Sequence, residues 1–389
     1  MTGRQSRALR LAIVSGVVLA GAVLVTLAAP QQAGQATPPA AKSPYLKLAT
    51  PWPDADTLRK RQSEAEGRAL FSSADPLVFT LTADFKAINK DRDPASTRRF
   101  PGVLALAAPG GGVTSIQIQI GTRGNVRLNP RTCDFAPLRL EFVKSAVKNT
   151  AFDGQDALKL VTHCWQDATF EQYVLLEYLN YQIFNLHTPR SFRARLATIT
   201  YVDTSGGKTI AARHGILIED ADDVARRMGG RVVDIPRGQF SDLDRDATTM
   251  MSVLQYLIGN TDYSIYALHN VKLVQTPALG RMLTPVAYDF DISGLVNPHY
   301  GRTDPKLGIA SVRDRLYRGP CRTMAELEPA LSEFRGRQAA VLALPDALPD
   351  LSPRSRKDVV SFLEGFYAAI ARPDGVKRAF IDTCAKITM

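Results

Sequence analysis

The chain has 389 residues, 45% of them hydrophobic and 22% charged. That is enough for one large domain or two modest ones with a real core, and it excludes a disordered, collagenous or coiled-coil chain. The net charge is +10. The excess is spread out, with short clusters at Arg98–Arg99, Arg190–Arg195 and Arg354–Lys357, a pattern of solvated basic surface rather than of a nucleic-acid site.

Arg4, Arg7 and Arg10 form a positive head, and Leu11 to Ala29 then run 19 residues without a charge. Small residues follow, and Ala28 or Ala36 could end a cleavage site. This is an export signal of bacterial type. Its apolar run is long for a cleaved signal and near the minimum for a membrane span, so residues 1–36 read as a signal peptide or as a membrane anchor. Either way the body crosses the membrane, to be periplasmic or extracellular. Its net charge is then +7.

Residues 37–70 read as a Pro/Ala/Gln-rich linker followed by a short charged helix. Residues 71–220 are β-rich. LVFTLTADF (77–85) and SIQIQI (115–120) alternate apolar and polar residues, and LRLEFVK (138–144), DALKLVT (156–162), LATITYVD (196–203) and HGILIED (214–220) look like further strands. Between them, from Phe170, apolar residues recur at helical spacing through Val174, Leu175, Tyr178, Leu179 and Ile183. In 221–389, TMMSVLQYLIGN carries an apolar stripe, 267–274 and 281–291 look like a strand pair, and the tail is mostly helical. The order predicts an α+β fold with a β-rich front and a helical rear.

Four cysteines in an exported chain favour disulfides. Of the three possible pairings, Cys133–Cys164 and Cys321–Cys384 each join residues of one region of the chain. Buried free thiols are the alternative, and the spacing fits no zinc template.

GNTDYSIYALHN (259–270) follows a helix, and PVAYDFDISG (285–294) ends an apolar strand. If the strand pair between them folds back as a hairpin, Asp262, Asn270, Asp289 and Asp291 converge. Carboxylates and one amide suit Mg²⁺ or Mn²⁺, which take hard oxygen ligands and leave positions for water and phosphate. Phosphoryl transfer needs such a metal, a phosphate clamp and an oriented hydroxyl. Lys159, flanked by Leu158 and Leu160, could reach ATP phosphates as a point charge, and Glu177 on the following helix could pair with it. A surface position for Lys159, and Glu171 or Tyr178 facing inward instead of Glu177, stay open. Gly121-Thr122-Arg123-Gly124-Asn125 could offer backbone N–H groups to phosphate. Walker A, Rossmann and Gly-x-Ser-x-Gly motifs are absent. His269 stands beside the proposed site. Trp165, Tyr263, Tyr266 and Tyr300 could wall it or belong to core and rim.

These residues, from about Ile116 to Gly294, resemble the spore coat protein H (CotH) kinase-like family, atypical relatives of protein kinases. The matches are Arg123-Gly124-Asn125, Phe152-Asp153-Gly154, Leu158-Lys159-Leu160, Gly215 to Glu219, Asn260-Thr261-Asp262 and Asp289-Phe290-Asp291. The Ser expected after the Arg-Gly-Asn turn is replaced by Val126-Arg127, and Ala267 occupies the place of the kinase-type metal Asn, with Asn270 further on. The resemblance implies a kinase-like two-lobed core. It implies that Lys159 binds phosphates, that Glu219 lies beside adenine, that Asp262 orients the hydroxyl, and that Asp289, assisted by Asp291, holds metal. The expected activity is ATP- and metal-dependent phosphate transfer to Ser/Thr hydroxyls of a surface or periplasmic protein. The alternatives are AMP transfer, and a non-catalytic binding or structural protein of the cell envelope on the same scaffold.

Overall fold

The computed structural model describes residues 45–107 and 111–385. The export segment, most of the linker and residues 108–110 lie outside the described residues.

Seven strands close into a barrel: β1 (Leu77–Ala83), β2 (Phe100–Ala107), β3 (Val113–Thr122), β4 (Leu138–Phe142), β5 (Ala157–Val161), β6 (Ala194–Asp203) and β7 (Lys208–Ile218). Their order is β1-β2-β3-β4-β5-β7-β6. Every pairing is antiparallel except that of β6 with β1, which closes the barrel in parallel register, Leu81 opposite Tyr201. Period-two alternation decides what points inward. Phe79, Leu81 and Ala83 of β1, Ile116, Ile118 and Ile120 of β3, and Leu158 and Leu160 of β5 pack in one cluster with Phe85, Phe135 and Phe152. Gly215 of β7 is needed for close packing: a Cβ there would sit 2.7 Å from Ile199 Cδ1.

This overturns the kinase-like two-lobed core. The strands form no open sheet that ends a lobe, because β6 returns beside β1 and the edge disappears.

A second, three-stranded antiparallel sheet has the order β10-β9-β8, with β8 Arg231–Val233, β9 Val271–Gln275 and β10 Leu283–Ala287. The longer helices are α1 (Ala55–Glu66), α2 (Ala168–His187), α3 (Ala221–Arg227), α4 (Arg245–Leu257), α5 (Met324–Gly336) and α6 (Pro353–Ile370). Asp54, Asp167, Asp220, Asp244, Thr323 and Ser352 cap them, each side chain accepting from a backbone N–H of the first turn. From Val174 to Phe184, α2 is buried at every position but one, as befits a helix enclosed on all sides. It joins the outward residues Ile216 and Ile218 of β7 to the second sheet and to α4, α5 and α6 in a second core. Strand β7 thus serves both cores, with Leu217 turned into the barrel. Among the described residues no helix is long and apolar enough to cross a membrane.

Both disulfides form, Cys133–Cys164 and Cys321–Cys384. Two disulfides and no free cysteine fit an oxidising, exported environment.

His214 of β7 bridges two carboxylates: Nδ1 lies 2.7 Å from Glu171 of α2 and Nε2 lies 3.1 Å from Asp350 in the loop before α6. The hydrogen bond to Glu171, aided by Asp350, raises its pKa. The stabilisation is therefore complete below the unfolded value of about 6.5 and is lost as pH rises through the raised folded value. We expect His214→Gln to unfold at lower denaturant than the parent near pH 6, the gap closing as pH rises through the raised folded value. Urea midpoints across that range check it; a gap independent of pH excludes the imidazolium from this role.

Candidate functional site

The β9–β10 hairpin builds the site. Ala287 pairs with Val271 at its open end, so Asn270, just before β9, stands beside Asp289, just after β10. Tyr288 N–H donates to Asn270 O at 3.0 Å. The loop after α4 is tied to the same place, since Gly294 N–H donates to Gly259 O and Leu295 N–H to Ile258 O. Asn260 is buried, bonds Gln255 through its Nδ2 and receives the Asp262 N–H on its Oδ1 at 3.0 Å. The four residues expected to converge are thus held on adjoining segments.

Asn270 Nδ2 donates to the Asp262 carbonyl at 2.7 Å and to its Oδ2 at 3.2 Å. This spends the amide N–H groups on Asp262 and leaves the amide oxygen as the atom for a ligand. His269 Nε2 lies 3.2 Å from Asp262 Oδ1; that contact, with burial opposing it, raises the imidazole pKa. Asn270 and Asp289 both adopt left-handed backbone, φ 54° and 65°. Asn and Asp tolerate this region better than most residues, and such conformations gather at functional sites.

Helix α2 supplies the opposite wall through Glu177, Asn180 and Tyr181, three and four residues apart and so on one face. Tyr181 OH accepts the Asp289 N–H at 3.1 Å, and Asn180 Nδ2 donates to Ser293 Oγ at 2.9 Å. Glu177 is buried, and its Oε1 has no hydrogen-bond partner. Burial, then the charges of Asp291 and Asp289, raise its pKa well above the usual carboxylate range. Asp291 is pushed up to about 7, by burial first and by Asp289 second. Tyr300 OH donates to Asp291 Oδ2 at 3.3 Å. A cavity of about 10 Å³ lies between Glu177, Asp291, Tyr300 and Arg127, room for about one water.

Lys159 comes from the barrel side. It lies opposite Ile218 and so projects from the outer wall of β5 toward the second core. Its Nζ sits 4.2 Å from the Tyr288 ring centroid, next to Asp289. Lost hydration and the nearby Arg123 push its pKa down to about 8, with Asp289 opposing the drop. It makes no salt bridge among the described residues. The expected Lys159–Glu177 pair does not form: the groups that act on Glu177 are Asp291, Asp289, Arg127 and Arg123. Arg123 Nε is likewise buried without a partner. Gly124, at φ 96°, follows Arg123, whose N–H donates to Pro137 O just before β4.

Glu219 is placed otherwise than expected. Its carboxylate receives Arg193 (Nε 3.0 Å, NH2 2.7 Å) and Arg227 (Nε and NH2, both 2.9 Å), and its own N–H donates to Arg193 O. Two guanidinium groups engage the side chain, which fastens β7 to α3. The next residue, Asp220, acts on Lys159 instead. Arg127, Asp220 and Tyr181 carry no site signal in the sequence; Arg123 does, inside the Arg-Gly-Asn turn. Trp165 donates to Thr132 O beside the first disulfide.

Among the described residues no three His, Cys, Asp or Glu side chains form a ready metal cage. The arrangement fits a metal that takes one or two protein carboxylates and draws its other ligands from water and phosphate. No protein-family model matches the chain, and no curated protein matches it.

Glu177→Gln keeps shape and removes the acid. A carboxyl whose folded pKa is raised costs stability increasingly as pH climbs from about 4.5 toward the folded value. The variant should therefore gain on the parent as pH rises, reaching a melting temperature a few degrees higher by about pH 8 in metal-free buffer. Scanning calorimetry at two pH values checks it; equal melting curves at both would mean that the carboxyl is not held neutral.

Proposed function

We propose that the protein is an exported phosphotransferase that moves phosphate from ATP to hydroxyls of a protein substrate, using a divalent metal, Mg²⁺ or Mn²⁺. One observation carries this: among the described residues Lys159 and Arg123 make no salt bridge, nor do Asp289, Asp291 and Glu177, although Asp289 acts on Lys159 and Arg123 on Glu177, next to the Asp262–Asn270 pair. Each set is costly alone. A metal with a polyphosphate would neutralise both. The resemblance to the spore coat protein H kinase-like family points to the same chemistry, here carried by a barrel-centred scaffold.

Asp289 and Asp291, with the Asn270 amide oxygen, would hold the metal, which supplies charge neutralisation on the phosphates. Lys159 and Arg123 bind phosphate oxygens. Asp262 accepts the acceptor hydroxyl's hydrogen bond and takes its proton as that oxygen bonds the γ-phosphorus and the bond to ADP breaks. His269 and Asn270 hold the Asp262 carboxylate in place. The protein acts outside the cytoplasm, freed by cleavage within residues 1–36 or attached to the membrane by them.

Incubation with Mn²⁺ and either γ- or α-labelled ATP tests the reaction. Label entering protein from γ-ATP alone is expected; label from α-ATP alone would make it AMP transfer, and label from neither would remove the activity. A second possibility, a non-catalytic envelope protein whose basic surface holds an acidic polymer, is favoured by Glu219, whose engagement with Arg193 and Arg227 removes the side chain expected beside adenine.

A further inference from the structure

A cavity of about 520 Å³ opens beside the residues that follow Asp262, within the roughly 300–1,000 Å³ span of ligand sites. Its lining is largely aromatic and aliphatic: Phe240, Tyr263, Ile265, Tyr266 and Leu316. Among the described residues no acidic side chain lines it. The wall begins at Tyr263, the residue after Asp262. Ser264 exchanges both backbone hydrogen bonds with His269, whose ring touches Asp262. Arg318, also in the wall, grips the two carbonyls that flank Asp262, donating from NH1 to Thr261 O at 2.5 Å and to Tyr263 O. The cavity and Asp262 therefore form one mechanical unit.

The rim is positive. Arg237 lies over the half-exposed Tyr266 ring, 5.0 Å from its centroid, and bonds its hydroxyl. It pairs with no carboxylate among the described residues. The outer wall is formed by Thr383 and Ala385, which the Cys321–Cys384 disulfide and the Ala385 N–H to Gly319 O bond hold against the body.

We infer that this cavity seats the acceptor. The occupant is an extended protein segment whose Ser or Thr lies at Asp262, with a large apolar or aromatic side chain in the cavity and a carboxylate at Arg237. Burial of the apolar side chain gives affinity, and the uncompensated guanidinium selects the neighbouring acid. This rests on the phosphotransfer reading above.

The test presents a Ser/Thr peptide library, one flanking position fixed at a time, to the full secreted chain with Mn²⁺ and γ-labelled ATP. The wild type is expected to favour a large apolar residue at one position and an acid at another. Thr383→Trp, which fills the cavity, should lose the apolar preference by about tenfold or more. Arg237→Ala should lose only the acidic preference, and it carries the test if the first variant fails to fold. The thermal shift with ATP and Mn²⁺ should be unchanged in both. No labelling of any peptide, no positional preference, or preferences unaltered in the variants overturns the proposal when that shift is intact. Absence of the shift in the wild type overturns the phosphotransfer reading itself, and the acceptor site with it.

Discussion

On the phosphotransfer proposal, replacing Asp289 by Asn should abolish both metal–nucleotide binding and phosphate transfer, whereas Asp262→Asn should abolish transfer alone. Asn suits position 289 because it tolerates the left-handed backbone there, φ 65°, where Ala would add strain. The substitution removes one charge and little else. That charge opposes the drop in the Lys159 pKa and raises those of Asp291 and Glu177, so it is the link between the cationic and acidic halves. Asp262 touches neither Lys159 nor Glu177; its carboxylate is occupied by Asn270 and His269. Losing a positioned base costs about 10²- to 10⁴-fold in rate and need not weaken ATP binding. The expected pattern is background transfer in both variants, with ATP-dependent stabilisation kept only by Asp262→Asn. Equal loss of binding in the two would mean that Asp262 holds the nucleotide or metal directly.

The Cys133→Ser/Cys164→Ser double variant should lose about 3–4 kcal/mol by the chain-entropy relation, given a sequence separation of 31. For a body of this size that is about 5 °C in melting temperature. The consequence is local as well. This disulfide ties the loop at 129–135 to the exit of β5, where Phe135 N–H donates to Cys164 O and Arg127 donates to Thr162 O at 2.5 Å. Arg127 lines the small cavity with Glu177 and Asp291. The double variant should therefore bind ATP and metal less tightly than its stability loss alone dictates. Denaturant midpoints and nucleotide titration on the same samples separate the two effects; a stability loss with unchanged affinity would mean that the loop does not position Arg127.

The strands were legible because one alternating face of each fills the barrel: Ile116, Ile118 and Ile120, or Phe79, Leu81 and Ala83. Closure was not. Alternation says that β1 and β6 are each half-buried, but nothing in 77–83 or 194–203 names the other as its partner, and a parallel pairing over that separation leaves no turn to read. The α2 helix was legible in spacing but not in phase, because it is buried nearly all round. The acids at 262, 289 and 291 and the amide at 270 were legible as a group because a hairpin joins their segments. The partners of Glu219 were not legible: a lone acid at a strand end looks the same whether it faces a ligand or two arginines, and Arg193 and Arg227 lie on other elements.

On the proposed function, Lys159, Arg123, Asp289 and Asp291 surround one metal–nucleotide pair. Thermal unfolding of the secreted chain with Mn²⁺, with ATP, and with both together tests it most directly. Both together should stabilise by more than the sum of each alone, approaching about 2.7 kcal/mol at a ligand concentration 100 times Kd. Additive or absent shifts would contradict it.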